Sequence, residues 1–195
     1  MPVLRTFVAI DLSDELRHSL GQVQELLARQ APRRSIRWVR PEGIHLTLKF
    51  LGDTSPEQVK KVKAALTLAA AEVEPFTLLA VGLGCFPNNR QPRVIWIGLL
   101  EPSGALVRVQ QAVEAHIAPL GFPTEKRPIS PHLTLGRMQR QASRSDVQAV
   151  GRIVTDFEVG TLGQMRATSV CYIKSDLEPG GAVYTTLLKT PLGGS

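Results

Sequence analysis

Cysteine is nearly absent from this chain of 195 residues, which holds only Cys85 and Cys171. Two lone thiols exclude a disulfide scaffold and suit a reducing compartment. Histidine is scarce too, with four in all. No His-x-x-x-His, no Cys pair and no close carboxylate accompanies them, so neither a zinc site nor any other metal or cofactor is expected. Aromatic residues make up 5% of the chain, which leaves few candidates for a base-stacking platform. Long apolar runs are missing as well. The longest, Phe76 to Phe86, falls well short of the roughly 18–20 residues of a membrane helix. The first apolar segment is interrupted by Arg5 and ended by Asp11, which is not the pattern of a signal peptide. These absences lead to the expectation of a cytoplasmic protein with no membrane partner.

What the chain does have is 43% hydrophobic residues, enough to exclude disorder, and a length that suits one domain. Lys and Arg outnumber Asp and Glu by 23 to 17, giving a net charge of +6. That balance alone is compatible with many functions, so placement matters more. Lys60, Lys61 and Lys63 fall on the solvated face of a helical pattern. By contrast, Arg33, Arg34, Arg37, Arg40 and Lys49 cluster around an extended segment. Arg90 and Arg93, and then Lys126, Arg127, Arg137, Arg140 and Arg144, do the same later on. For each of these residues taken singly, simple solvation is the commoner explanation.

Residues 4–12 read as a strand, and Ser13 as the cap of a helix reaching about Gln30. Strands follow at 36–39 and 44–51, separated by a turn at 41–43 and closed by Gly52, Asp53 and Thr54. Ser55-Pro56-Glu57-Gln58 is a capping box with Pro at the first helical position. After that helix come strands at 76–86 and 94–100, a helix at 106–117 and a strand containing 132–135. A weaker helix at 145–153 precedes strands near 156–159, 165–174 and 183–188, the last two joined by a turn at 178–181. Several strands follow one another through short turns, and no low-complexity linker divides the chain. The expected class is therefore α+β with antiparallel sheets, in a single domain spanning 1–195.

His-Leu-Thr-Leu occurs twice, at 45–48 and at 132–135, so two of the four histidines head the same tetrapeptide. Side chains alternate along a strand, so His45 and Thr47 share one face while Leu46 and Leu48 anchor the other. The same holds for His132 and Thr134. If two similar lobes face each other, the two His/Thr faces line one groove. A pair of imidazoles suits acid–base catalysis near neutral pH, one removing a proton from water while the other protonates a leaving oxygen. Threonine hydroxyls and a nearby guanidinium would hold an anionic phosphorus centre. Such a set can open a strained cyclic phosphodiester without a metal. His18 and His116, in helical segments with no partner motif, read as structural.

The two motifs and their flanks resemble the two-histidine (2H) phosphoesterase superfamily, and within it the RNA 2′,3′-cyclic phosphodiesterases, also called the LigT-like or 2′-5′ RNA ligase family. The similarity runs from Arg5-Thr6-Phe7-Val8-Ala9-Ile10-Asp11 through Arg37–Glu42, His45–Gly52 and Pro92–Trp96 to Pro131–Arg137. It implies a bilobal, pseudo-twofold fold with helices packed on the outer faces, a central active-site groove, and one motif in each lobe. It also implies roles. His45 is the proton donor to the leaving 3′ oxygen and His132 the proton acceptor from water, with Thr47, Thr134 and Arg137 binding the phosphate. The implied substrates are RNA ends or short oligonucleotides with a 2′,3′-cyclic phosphate, the implied product is a 2′-phosphomonoester, and the expected form is a monomer. Reversible ATP-independent 2′-5′ ligation is a secondary implication.

Other readings keep the groove and change its use: a small cyclic nucleotide or 2′-5′ oligonucleotide as substrate, or a non-catalytic RNA-end binding module. Arg137 follows His132 by five residues, so an unbroken strand turns it to the leucine face, and a bulge or strand end at Gly136 is expected to bring it back. Lys49 shares the parity of His45 and Thr47 and is a candidate extra cation. Trp38, Phe50 and Tyr172 are the stacking candidates, although core packing is the commoner role of such residues.

Overall fold

Thr6 to Ile10 are all buried, as expected of a strand covered on both faces, and they form most of β1 (Leu4–Ile10). The computed structural model describes residues 3–125, 128–178 and 181–194. Lys126 and Arg127, and Pro179 and Gly180 of the expected last turn, lie outside these residues.

Ser13 caps α1 (Asp14–Gln30) by accepting the Leu16 N–H, and Asp14 and Glu15 complement the positive helix end. The Ser55–Gln58 capping box starts α2 (Pro56–Ala71). The other helices are α3 (Ala105–Ile117) and α4 (Arg144–Asp156), the latter opened by a second capping box between Ser143 and Asp146. The remaining strands are β2 (Ile36–Trp38), β3 (Leu46–Thr54), β4 (Phe76–Phe86), β5 (Val94–Leu100), β6 (His132–Met138), β7 (Thr161–Ala167), β8 (Ser169–Glu178) and β9 (Gly181–Pro191).

The strands form two sheets, ordered β3-β1-β8-β9 and β2-β6-β5-β4-β7, and every ladder is antiparallel. The fold is thus α+β, as the segment pattern implied. Membership does not follow the halves of the chain. Strands β8 and β9, from the C-terminal end, complete the sheet that holds the first motif, and β2 adds an edge to the sheet that holds the second. Reading outward from each motif strand gives matching series, β3-β1-β8-β9 and β6-β5-β4-β7.

Helices α2 and α3 pack together and against the first sheet, while α1 and α4 contact β7 and β4 of the second. One continuous apolar core joins all four helices to both sheets. A separate buried cluster of Phe7, Ala9, Cys171 and Ile173 lies outside that core, on β1 and β8.

Two expected elements differ. The stretch 156–159 is not a strand: α4 runs to Asp156, and Phe157 and Val159 pack on the core from an extended connection. The segment 165–174 is two strands rather than one, because β7 pairs with β4 while β8 pairs with β1, so the chain changes sheets at Thr168. Apolar patterning continues across that switch and hides it.

Candidate active site

His45 lies just before β3, and His132 is the first residue of β6. The two motif strands belong to different sheets and come into contact with each other. The local hydrogen bonding is the same in both copies. Nδ1 of His45 donates to the Gly43 carbonyl at 2.9 Å, and Nδ1 of His132 donates to the Ser130 carbonyl at 2.7 Å. A carbonyl can only accept, so each neutral ring is held as the Nδ1–H tautomer with the Nε2 lone pair free. Among the described residues neither Nε2, nor the hydroxyl of Thr47 or Thr134, has a protein partner.

Both motif strands carry a β-bulge at the same position. In β3, Thr47 faces Ala9 and Lys49 faces Val8, which leaves Leu48 as the extra residue. In β6, Thr134 faces Trp96 and Gly136 faces Ile95, which leaves Leu135 as the extra residue. Each bulge reverses the alternation that follows it. Leu135 and Gly136 are consecutively buried and Arg137 is exposed, returned by the bulge to the face of His132 and Thr134. The bulge thus sits one residue before the position expected from Gly136. The glycine answers a different need: a Cβ there would lie 2.7 Å from Ile36 Cγ2 and 3.0 Å from Trp38 Cε3.

The same device corrects the reading of Lys49. With Leu48 bulged, Lys49 turns into the interior and is buried. Its Nζ donates to both carboxylate oxygens of Glu114 on α3, at 2.8 and 2.7 Å, and to the Pro123 carbonyl at 2.7 Å. It ties α3 to β3 and is not a free cation for a ligand. Phe50, the counterpart of Arg137 in the first motif, is 69% exposed.

The rings around the histidines were not legible in the sequence. Phe7 on β1 stacks on His45 with centroids 4.6 Å apart, and Tyr184 on β9 meets the same imidazole edge-on at 5.1 Å. Phe86 and Trp96 flank His132 at 5.0 and 6.4 Å. These neighbours come from strands distant in sequence, and no local motif announces them. Of the three stacking candidates, only Phe50 adjoins this cluster, 6.0 Å from Phe7. Tyr172 is fully buried with its hydroxyl on Thr6, and Trp38 packs against the core.

Burial drives the His45 pKa from 6.5 down to about 4, against the opposing effects of the Gly43 carbonyl and the Asp11 carboxylate. Asp11 is itself paired with Arg17. The other two histidines are engaged elsewhere, His116 with Glu72 at 2.6 Å and His18 with Gln22 at 3.1 Å. Among the described residues no three His, Cys, Asp or Glu side chains gather in a metal-binding arrangement. Nor is any described helix long and apolar enough to cross a membrane.

This geometry can be set beside known proteins. The family described as LigT like phosphoesterase matches the chain twice, over residues 10–96 and 97–184, with one motif in each match. Among several relatives named RNA 2′,3′-cyclic phosphodiesterase, that of Archaeoglobus fulgidus is 32% identical over 184 residues, covering 94% of this chain and 98% of the relative. The solved structure of TT0787 from Thermus thermophilus superposes with a TM-score of 0.78 at 29% identity, over 97% of this chain and 98% of the other. That of Escherichia coli LigT complexed with 3′-AMP gives 0.73 at 27% identity, over 97% and 98%.

Proposed function

This chain belongs to the LigT-like phosphoesterase family, and from that premise we propose that it hydrolyses the 2′,3′-cyclic phosphodiester ends of RNA to 2′-phosphomonoesters. One observation carries the proposal: two imidazoles, each with Nδ1 committed to the carbonyl two residues back, keep Nε2 without a partner among the described residues, each two residues before a threonine hydroxyl likewise unpartnered there, on motif segments whose strands touch. The relatives' name supplies the substrate class.

The reaction balances with these groups alone. Nε2 of neutral His132 takes a proton from water as the water oxygen bonds to phosphorus. The bond from phosphorus to the 3′ oxygen breaks, and Nε2–H of protonated His45 gives that oxygen its proton. Thr47 and Thr134 donate to the nonbridging oxygens, and Arg137, exposed on the face of Thr134, adds charge where it develops. Both proton transfers are thereby assigned, so no metal-bound hydroxide is needed. With the 5′ hydroxyl of a second RNA in place of water, the same steps form a 2′-5′ phosphodiester, which makes ligation a variant of one site. The chain acts as one domain of two similar lobes, each contributing one motif.

His45 donates only if it is protonated, and burial in the free protein opposes that. The phosphate supplies the missing field: an anion beside the ring favours the imidazolium. Substrate binding thus charges the acid.

The test is incubation with an RNA bearing a 2′,3′-cyclic phosphate in excess EDTA. A 2′-phosphomonoester product is expected. A 3′-phosphate product overturns the direction of opening, and tight binding without turnover makes the chain a binding module.

A further inference from the structure

Five arginines that sequence order scatters over three segments, Arg90, Arg93, Arg140, Arg144 and Arg152, line one open groove of about 1150 Å³. All five are exposed, and among the described residues the lining contains a single carboxylate, Asp156. Among the described residues none of the five guanidiniums has an acidic partner within ion-pair distance. Solvated arginines on a basic protein are ordinary, but five unpaired ones converging on one concavity sum to a positive field that attracts an anion.

The groove is a firm construction. It forms where α4 docks onto the loop between β4 and β5. Gly151 of α4 lies so close to that loop that a Cβ would collide with the Asn89 carbonyl. Asn89 donates to Thr155 Oγ1 at 2.9 Å and accepts from Cys85 Sγ at 3.0 Å, pinning the loop to helix and strand. Met138, the last residue of β6, lines the groove, four residues beyond Thr134. At about 3.3 Å per residue that separation is at most roughly 13 Å along the backbone of β6. Arg137 lies between Thr134 and Met138 in the sequence.

We propose that this groove binds the phosphodiester backbone of the RNA strand upstream of the cyclic end, so that the enzyme holds an oligonucleotide at two places, the end at the histidines and the body on the arginines. The proposal deepens the phosphodiesterase reading and rests on it for the identity of the strand. Guanidinium forks match phosphate oxygens, and such contacts position a strand without reading its bases.

The test compares wild type with Arg140→Gln/Arg144→Gln/Arg152→Gln on two substrates, a ten-nucleotide RNA with a 2′,3′-cyclic phosphate and a 2′,3′-cyclic mononucleotide. The variant should raise KM for the oligonucleotide at least tenfold and leave mononucleotide kinetics unchanged. Fluorescence anisotropy of the labelled oligonucleotide gives an arm independent of turnover. Each lost phosphate contact lowers the salt slope by about 0.7 for a single strand, so wild type should lose roughly twentyfold more affinity than the variant between 50 and 200 mM salt. Equal oligonucleotide KM, affinity and salt slope in both proteins would overturn the proposal and leave the groove to another anion, such as an acidic protein. Equal damage to both substrates would also overturn it, by placing the arginines' effect at the histidines. A wild type that turns over neither substrate counts against the phosphodiesterase reading, while anisotropy still reports on the groove.

Discussion

Adding phosphate to the free protein should change the charge of His45 at neutral pH. Phe7 and Tyr184 enclose the ring, and burial lowers its pKa to about 4, so the free protein holds it neutral at pH 7. One negative charge about 4 Å from the imidazolium, at an effective dielectric constant of about 20, stabilises it by about 4 kcal/mol. That is about a thousandfold in proton affinity, enough to bring titration close to neutrality. The assay is an NMR titration of the imidazole Cε1–H resonances between pH 4 and 8, with and without saturating inorganic phosphate. The His45 signal is identified by its loss in His45→Asn. In the free protein it should barely titrate above pH 5, and with phosphate its midpoint should rise by more than one pH unit. Phe7→Ala, which lets water reach the ring, should move the free-protein midpoint towards 6.5. A His45 that titrates near 6.5 without ligand, or does not respond to saturating phosphate, would refute this reasoning.

Other outcomes follow from the same contacts. Between pH 6.5 and about 4 the folded protein keeps His45 neutral while the unfolded chain protonates it, so stability must fall as pH falls through that window. The contribution, complete above pH 6.5, is about 3 kcal/mol; urea denaturation at pH 7 and 4.5 should show a smaller pH-dependent loss in His45→Asn. Glu114→Gln strands a buried ammonium and should cost about 3–5 kcal/mol, whereas Lys49→Met/Glu114→Leu should cost far less, because replacing both partners removes the desolvated charges as well. Denaturation of both variants checks this, and KM should stay unchanged in the double variant, which it would not if Lys49 held substrate.

The site was legible where it is local. A repeated His-Leu-Thr-Leu with period-two alternation announces an imidazole and a hydroxyl on one face; β6 contains its whole copy, and the first copy straddles the start of β3, with His45 just before it. Alternation misled only past the fourth residue, since a bulge at Leu48 or Leu135 leaves no residue-type signature. Lys49 therefore reads as a site cation and proves to be a buried tie to Glu114. A glycine beside Leu135 gave Arg137 a reason to turn, even though its own role is to admit β2. What stayed illegible is non-local: Phe7, Tyr184 and Phe86 reach the histidines from other strands, and five arginines meet only because α4 docks on the loop after β4. The sheet change at Thr168 is hidden for the same reason, because pairing partners are a property of the fold and not of the segment.

The central claim is that both histidines act on one phosphate, one on each side of the bond being exchanged. Initial rates of cyclic-end hydrolysis by wild type, His45→Ala and His132→Ala, in EDTA, with folding checked by circular dichroism, test it most directly. Each single variant should lose at least a thousandfold, the double variant should lose little more than either single, and Thr47→Ala or Thr134→Ala should lose less. Wild-type turnover in either histidine variant would contradict the account.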